Sequence, residues 1–122
     1  MFSDNDIDSV RQFYEAHISR IPMGDRRSRI LKVGINYPAI QRRINLIIED
    51  YLSKNYTPLD TANELIHKLL NLCFFEYDNH IFSLYIGYIY LKSMGIAHNT
   101  FTIDAITQVS SIANINSLTI TW

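Results

Sequence analysis

Residues 80–94 constrain the fold of this chain more than any other stretch. Ile81, Phe82, Leu84, Tyr85, Ile86, Tyr88, Ile89, Tyr90, Leu91 and Met94 cover every face of a helix that closes at Lys92-Ser93-Met94-Gly95. A helix apolar on all sides has to be enclosed, by lipid or by other protein elements. Its apolar run, Ile81–Leu91, falls well short of the roughly 18–20 residues that a bilayer crossing needs. The spacing therefore predicts a central helix with other helices wrapped around it. In that setting Tyr85, Tyr88 and Tyr90, with the nearby Tyr77, read as core rather than as a stacking platform for a ligand.

The rest of the chain supplies the wrapping. Ser3 and Asp6 form a capping-box pattern. Ile7, Val10, Tyr14, Ile18 and Ile21 then recur at helical spacing until Pro22. Residues 23–29 are polar and read as a loop, followed by a short helix that Gly34 ends. Asn36-Tyr37-Pro38 opens the next helix, whose apolar stripe is Ile40, Ile44, Ile47, Ile48, Tyr51 and Leu52, with Asn55 as its stop. Thr57-Pro58-Leu59-Asp60 gives the clearest start signal in the chain. It leads into the stripe Leu59, Ala62, Leu65, Ile66, Leu69, Leu70 and Cys73. Beyond the central helix, Thr102 caps a predicted helix through Ile103, Ile106, Val109 and Ile112. The alternation in 116–122 predicts a short strand. The expectation is an all-α single domain spanning 1–122, with five or six helices around the central one and a small C-terminal β element.

Composition agrees with one folded domain. The chain has 122 residues, 48% hydrophobic and 19% charged, which excludes the low-hydrophobicity, high-charge regime of disorder. A single cysteine excludes a disulfide framework and a cysteine-based zinc site. His17, His67, His80 and His98 lie at no metal-ligand spacing from one another or from Cys73. Cys73 itself reads as a buried small hydrophobe. There is no glycine-rich phosphate loop and no His-Glu-x-x-His pattern. The amino end lacks the basic and apolar regions of a signal peptide, so the expected location is cytoplasmic, with no membrane partner.

Charge is distributed unevenly. The balance is −3 over residues 1–10, +6 over 11–43 and −4 over 44–122. Arg26, Arg27, Arg29, Arg42 and Arg43 form the core of the basic segment. With an overall pI near 6.4, such a segment points to docking of an acidic protein partner rather than to nucleic acid. Docking of that kind weakens with salt, and charge reversal at Arg26 and Arg27 is expected to slow association while sparing the fold.

The stretch Cys73–Ile96 resembles the core of the Fic/Doc (death-on-curing) family. An amphipathic helix runs into an aromatic–acidic turn containing Asn79, and an aliphatic helix follows, ending in Lys-Ser-Met-Gly-Ile. The family carries a His-x-Phe-x-Asp/Glu-x-Asn-Lys/Gly-Arg loop before a helix with a Leu-x-x-Asn-Gly-like stop. Setting Leu91 and Gly95 on that stop aligns the loop with Cys73–Ile81 without a gap. Phe75 and Asn79 match, and His17-Ile18-Ser19-Arg20 is similar to an early segment of the small Doc-type toxins. Cys73 stands where the family has its catalytic histidine, Tyr77 (flanked by Glu76 and Asp78) where it has its metal-associated acid, and His80 and Ile81 where it has Lys and Arg. A thiol does not reproduce a histidine's proton relay, and isoleucine does not hold phosphate.

The resemblance thus implies a catalytically degenerate member that acts by protein–protein binding in a toxin–antitoxin or mobile-element setting, with no cofactor. An active nucleotidyl- or phosphotransferase is the alternative. It would use ATP and magnesium at an altered loop of Cys73, Phe75, Glu76, Asp78, Asn79 and His80. An unrelated helical adaptor, chaperone or regulator is the third reading.

Overall fold

The computed structural model describes residues 1–19, 35–72 and 79–96. They form four helices and, among these residues, no strand: α1 (Asp4–Ser19), α2 (Tyr37–Ser53), α3 (Pro58–Leu72) and α4 (Asn79–Ser93). The helix expected before Gly34, the loop 23–29, the helix after Thr102 and the strand at 116–122 lie outside the described residues, as do Ile21, Pro22, Cys73 and Tyr77.

The first three helices begin where their local chemistry predicts. Ser3 Oγ accepts from the Asp6 backbone N–H at 3.1 Å, while the Asp6 carboxylate accepts from the Ser3 N–H at 2.9 Å, a reciprocal capping box. Asn36 caps α2 by accepting from the Ala39 N–H at 3.1 Å, with Pro38 in the first turn. Thr57 Oγ1 accepts from the Asp60 N–H at 3.1 Å and so caps α3.

Two helices end in the same way. At the end of α4, Ile96 N–H donates to the Leu91 carbonyl at 2.9 Å and Gly95 N–H to Lys92 at 3.0 Å, with Gly95 at φ 75°. At the end of α2, Tyr56 N–H donates to Tyr51 at 3.2 Å and Asn55 N–H to Leu52 at 3.1 Å. There Asn55 takes the left-handed conformation at φ 63°. Both are Schellman stops, and asparagine after glycine is the residue that best tolerates that backbone. Tyr51 and Tyr56, the two ends of the α2 motif, pack ring against ring at 5.0 Å between centroids.

Each helix packs on its neighbour in sequence, and α4 returns to pack on α1; the α3–α4 contact is the most extensive. Two adjacent helices come this close because Gly87 carries no side chain. A Cβ built there would lie 2.6 Å from Ile66 Cδ1 and 2.7 Å from Cγ1. The core runs through all four helices, and it includes Val10, Tyr14, Ile44, Ile48, Leu65, Phe82 and Tyr90. As expected, α4 has no wet face. Ile81, Phe82, Leu84, Ile86, Tyr88, Ile89, Tyr90 and Leu91 are all buried, and Tyr85 is half-buried.

Particular positions depart from the pattern. Leu52 and Leu59 sit on the predicted stripes yet are 41% and 42% exposed. They occupy the last turn of α2 and the first turn of α3. Leu70 is half-buried, whereas Thr61, outside the predicted stripe, is fully buried. The buried Tyr90 hydroxyl has no hydrogen-bond partner among the described residues, an exception to the rule that buried polar groups are paired. Phe2 is an unexpected core residue. Its N–H donates to Asn45 Oδ1 at 2.7 Å, and its carbonyl accepts from Asn45 Nδ2 at 3.0 Å and from Gln41 at 3.3 Å. The signal was available: an apolar residue just before the Ser3 cap, with Ile7 four positions past it, is a hydrophobic staple.

Candidate functional site

The residues expected to carry chemistry fall into two groups. Of the loop, Cys73, Phe75, Glu76 and Asp78 lie outside the described residues. Asn79 is the half-buried first residue of α4, and the His80 backbone belongs to the helix's first turn. No group of three or more His, Cys, Asp or Glu side chains that could hold a metal occurs among the described residues. His17 lies edge-on to the Phe82 ring at 5.7 Å, in an aromatic cluster. Phe13 and Tyr85 stack at 4.0 Å and 6° in that cluster, and Phe82 also meets Tyr14 at 4.7 Å. This cluster ties α1 to α4 and is part of the core.

Of the basic set, Arg26, Arg27 and Arg29 lie outside the described residues, while Arg42 and Arg43 are exposed side by side on α2. Among the described residues neither arginine has an ion-pair partner. Two other cations, Arg11 and Lys54, are ion-paired. Arg11 is held by Asp8 and by Glu15 at 3.5 Å, and the Asp8 contact keeps that carboxyl below its ordinary range. Lys54 reaches Asp50 at 3.1 Å, which raises the pKa of its ammonium, and it lies 5.3 Å from the Tyr51 ring centre.

Periodicity explains what lies next to Arg42 and Arg43. The buried stripe of α2 is Ile40, Ile44, Ile47, Ile48 and Tyr51, so residues 42, 43, 46, 49 and 50 face away from the core. Leu46 falls on that outward side and is 59% exposed, an aliphatic side chain among charged neighbours. Where α2 meets α3, Arg43, Leu46, Ile47, Asp50, Tyr51 and Lys68 line an open groove of about 180 Å³. Burial pushes the Tyr51 hydroxyl pKa up, and the Glu64 carboxylate facing it from α3 adds to the shift.

Sequence reasoning found Arg42 and Arg43 but missed Leu46 and Lys68. Leu46 was legible as the one leucine or isoleucine of α2 that falls off its stripe. Lys68 joins the site only because α3 packs against α2. No helix of the described residues is long and apolar enough to cross a membrane. Comparison with known proteins finds no matching family model, no matching curated protein and no matching solved structure.

Proposed function

We propose that this chain is a catalytically degenerate, Fic/Doc-like helical protein that works by binding an acidic protein partner. The observation that carries the binding reading is the pair Arg42 and Arg43, exposed on α2, without an ion pair among the described residues and next to the exposed Leu46. Adjacent like charges left unneutralised repel each other, and an acidic partner relieves that repulsion. The apolar side chain beside them supplies area to exclude water, which charge alone does not.

The Fic/Doc part of the reading rests on the sequence of 73–96 and on the kind of helix that follows the loop. That helix is enclosed, about fifteen residues long and stopped at Gly95. In this reading two further helices, before Gly34 and after Thr102, complete a Fic-like bundle. Ile81 stands at the phosphate-binding arginine position, which removes the cation that transfer to a hydroxyl needs. The setting is a toxin–antitoxin pair or a mobile element, and the partner is a protein of the same cell.

The test is capture of partner from host lysate on the immobilised chain at low and high salt, with wild type and an Arg42→Glu/Arg43→Glu double variant. Capture is expected to fall at high salt and in the variant, while circular dichroism stays unchanged. Equal capture by the double variant removes the α2 reading. Incubation with labelled nucleotide and magnesium addresses the transferase alternative. Label transferred by wild type and lost in Asn79→Ala overturns the degenerate-member reading.

A further inference from the structure

The groove between α2 and α3 has a chemistry more specific than a basic surface. Its lining holds two cations, Arg43 and Lys68, one from each helix. Neither has an ion-pair partner among the described residues. Its one lining carboxylate, Asp50, is already taken by Lys54 at 3.1 Å. The nearby carboxylate on α3, Glu64, faces the Tyr51 hydroxyl. The apolar part of the lining is Ile47, Tyr51 and Leu46. The first two are buried, but Leu46 stands in solvent at 59% exposure. The groove therefore presents an apolar strip edged by two unneutralised positive charges.

Size narrows the occupant. At about 180 Å³ the groove is smaller than the roughly 300–1,000 Å³ of sites that enclose a free small molecule. It has room for a side chain projecting from something larger. A phosphate backbone fits poorly, because the exposed Leu46 gains nothing from phosphate. An amphipathic segment fits both features. It buries an apolar residue against Leu46 and Ile47 and sets flanking carboxylates on Arg43 and Lys68.

We propose that this groove is the docking site for an acidic, amphipathic segment of a partner protein, with Leu46 as the apolar contact and Lys68, together with Arg43, as the charge contacts. This rests on the partner-binding reading above and extends it from α2 onto α3, giving the partner's contacting surface a definite chemistry.

The experiment uses the full chain labelled with ¹⁵N and a synthetic helical peptide that presents Glu and Leu on one face, followed by amide chemical-shift changes. Shifts are expected at Leu46, Ile47, Tyr51 and Lys68, shrinking as salt rises. Lys68→Glu and Leu46→Asp are each expected to weaken peptide binding by roughly tenfold or more, whereas Lys68→Arg retains it. Circular dichroism verifies that each variant is folded. Because Leu46 and Lys68 are outside the core, the variants test binding rather than folding.

A peptide that shifts nothing, or that shifts α2 around Arg42 while sparing the groove, overturns the proposal. So does an oligonucleotide that produces the same groove shifts, and so does concentration-dependent groove broadening in the free protein, which assigns the surface to a second copy. Lysate capture separates this proposal from the broader reading. Capture lost in Arg42→Glu/Arg43→Glu but intact in Leu46→Asp and Lys68→Glu leaves partner binding standing and removes the groove.

Discussion

Tyr37 shows how a single residue links packing to pH. It opens α2 and packs half-buried against the core. Burial, with Tyr14 and the Glu15 carboxylate adding and Arg11 opposing, pushes its hydroxyl pKa up to about 12. In an unfolded chain the same group titrates near about 10. The unfolded state therefore releases its proton first as pH rises. The contribution to stability is complete below about pH 10 and is lost as pH climbs toward about 12. Burial shifts Tyr51, Tyr85 and Tyr90 in the same direction, so the alkaline loss is shared. Urea unfolding midpoints are expected to fall across that window, and to fall less steeply in Tyr37→Phe. An equal slope in the variant assigns the loss to the other tyrosines.

At the scale of elements, contact between α3 and α4 depends on a missing side chain. Gly87→Ala has two opposed effects. Alanine favours a helix interior by about 1 kcal/mol over glycine. Its methyl, however, meets Ile66 Cδ1 and Cγ1 at 2.6 and 2.7 Å, and over-packing of a close-packed core costs about 1–3 kcal/mol. The clash outweighs the propensity, so a net loss of about 1 kcal/mol is expected in denaturant titration. Ile66→Ala removes both clashing atoms, so the double variant is expected to lose less than the sum of the singles. Additive losses show that the helices part instead of clashing.

The sequence spoke clearly on elements and faintly on how they meet. Ser3, Asn36 and Thr57 cap through bonds spanning three residues, and chemistry that short is written in neighbouring letters. Whether Leu52 and Leu59 are covered depends on how the helices pack, which no local window contains. Nothing next to Gly87 in the sequence marks it, because the need for it comes from Ile66 on another helix. The candidate site divides in the same way: Arg42 and Arg43 were visible as a charge pair, but Lys68 became their neighbour only through packing.

At the scale of the whole molecule, α4 is the element on which the rest depends. Leu84 and Leu91 are 1% and 0% exposed, and truncation of such a leucine to alanine costs roughly 2–5 kcal/mol. That is a large part of the 5–15 kcal/mol by which a domain is typically stable. The same enclosure has a temporal side. Backbone amides in the middle of α4 are poorly reached by a partial opening on one flank, because the side chains of 81–91 are buried apart from Tyr85, which is half-buried. Their hydrogens are expected to trade with deuterium only when the whole domain comes apart, whereas α2, one side of which faces water, lets its amides go through smaller fluctuations. Leu84→Ala should then quicken exchange along α4 by one common factor, equal to its loss of global stability. The slowest protons in the molecule would act as a clock for its complete unfolding.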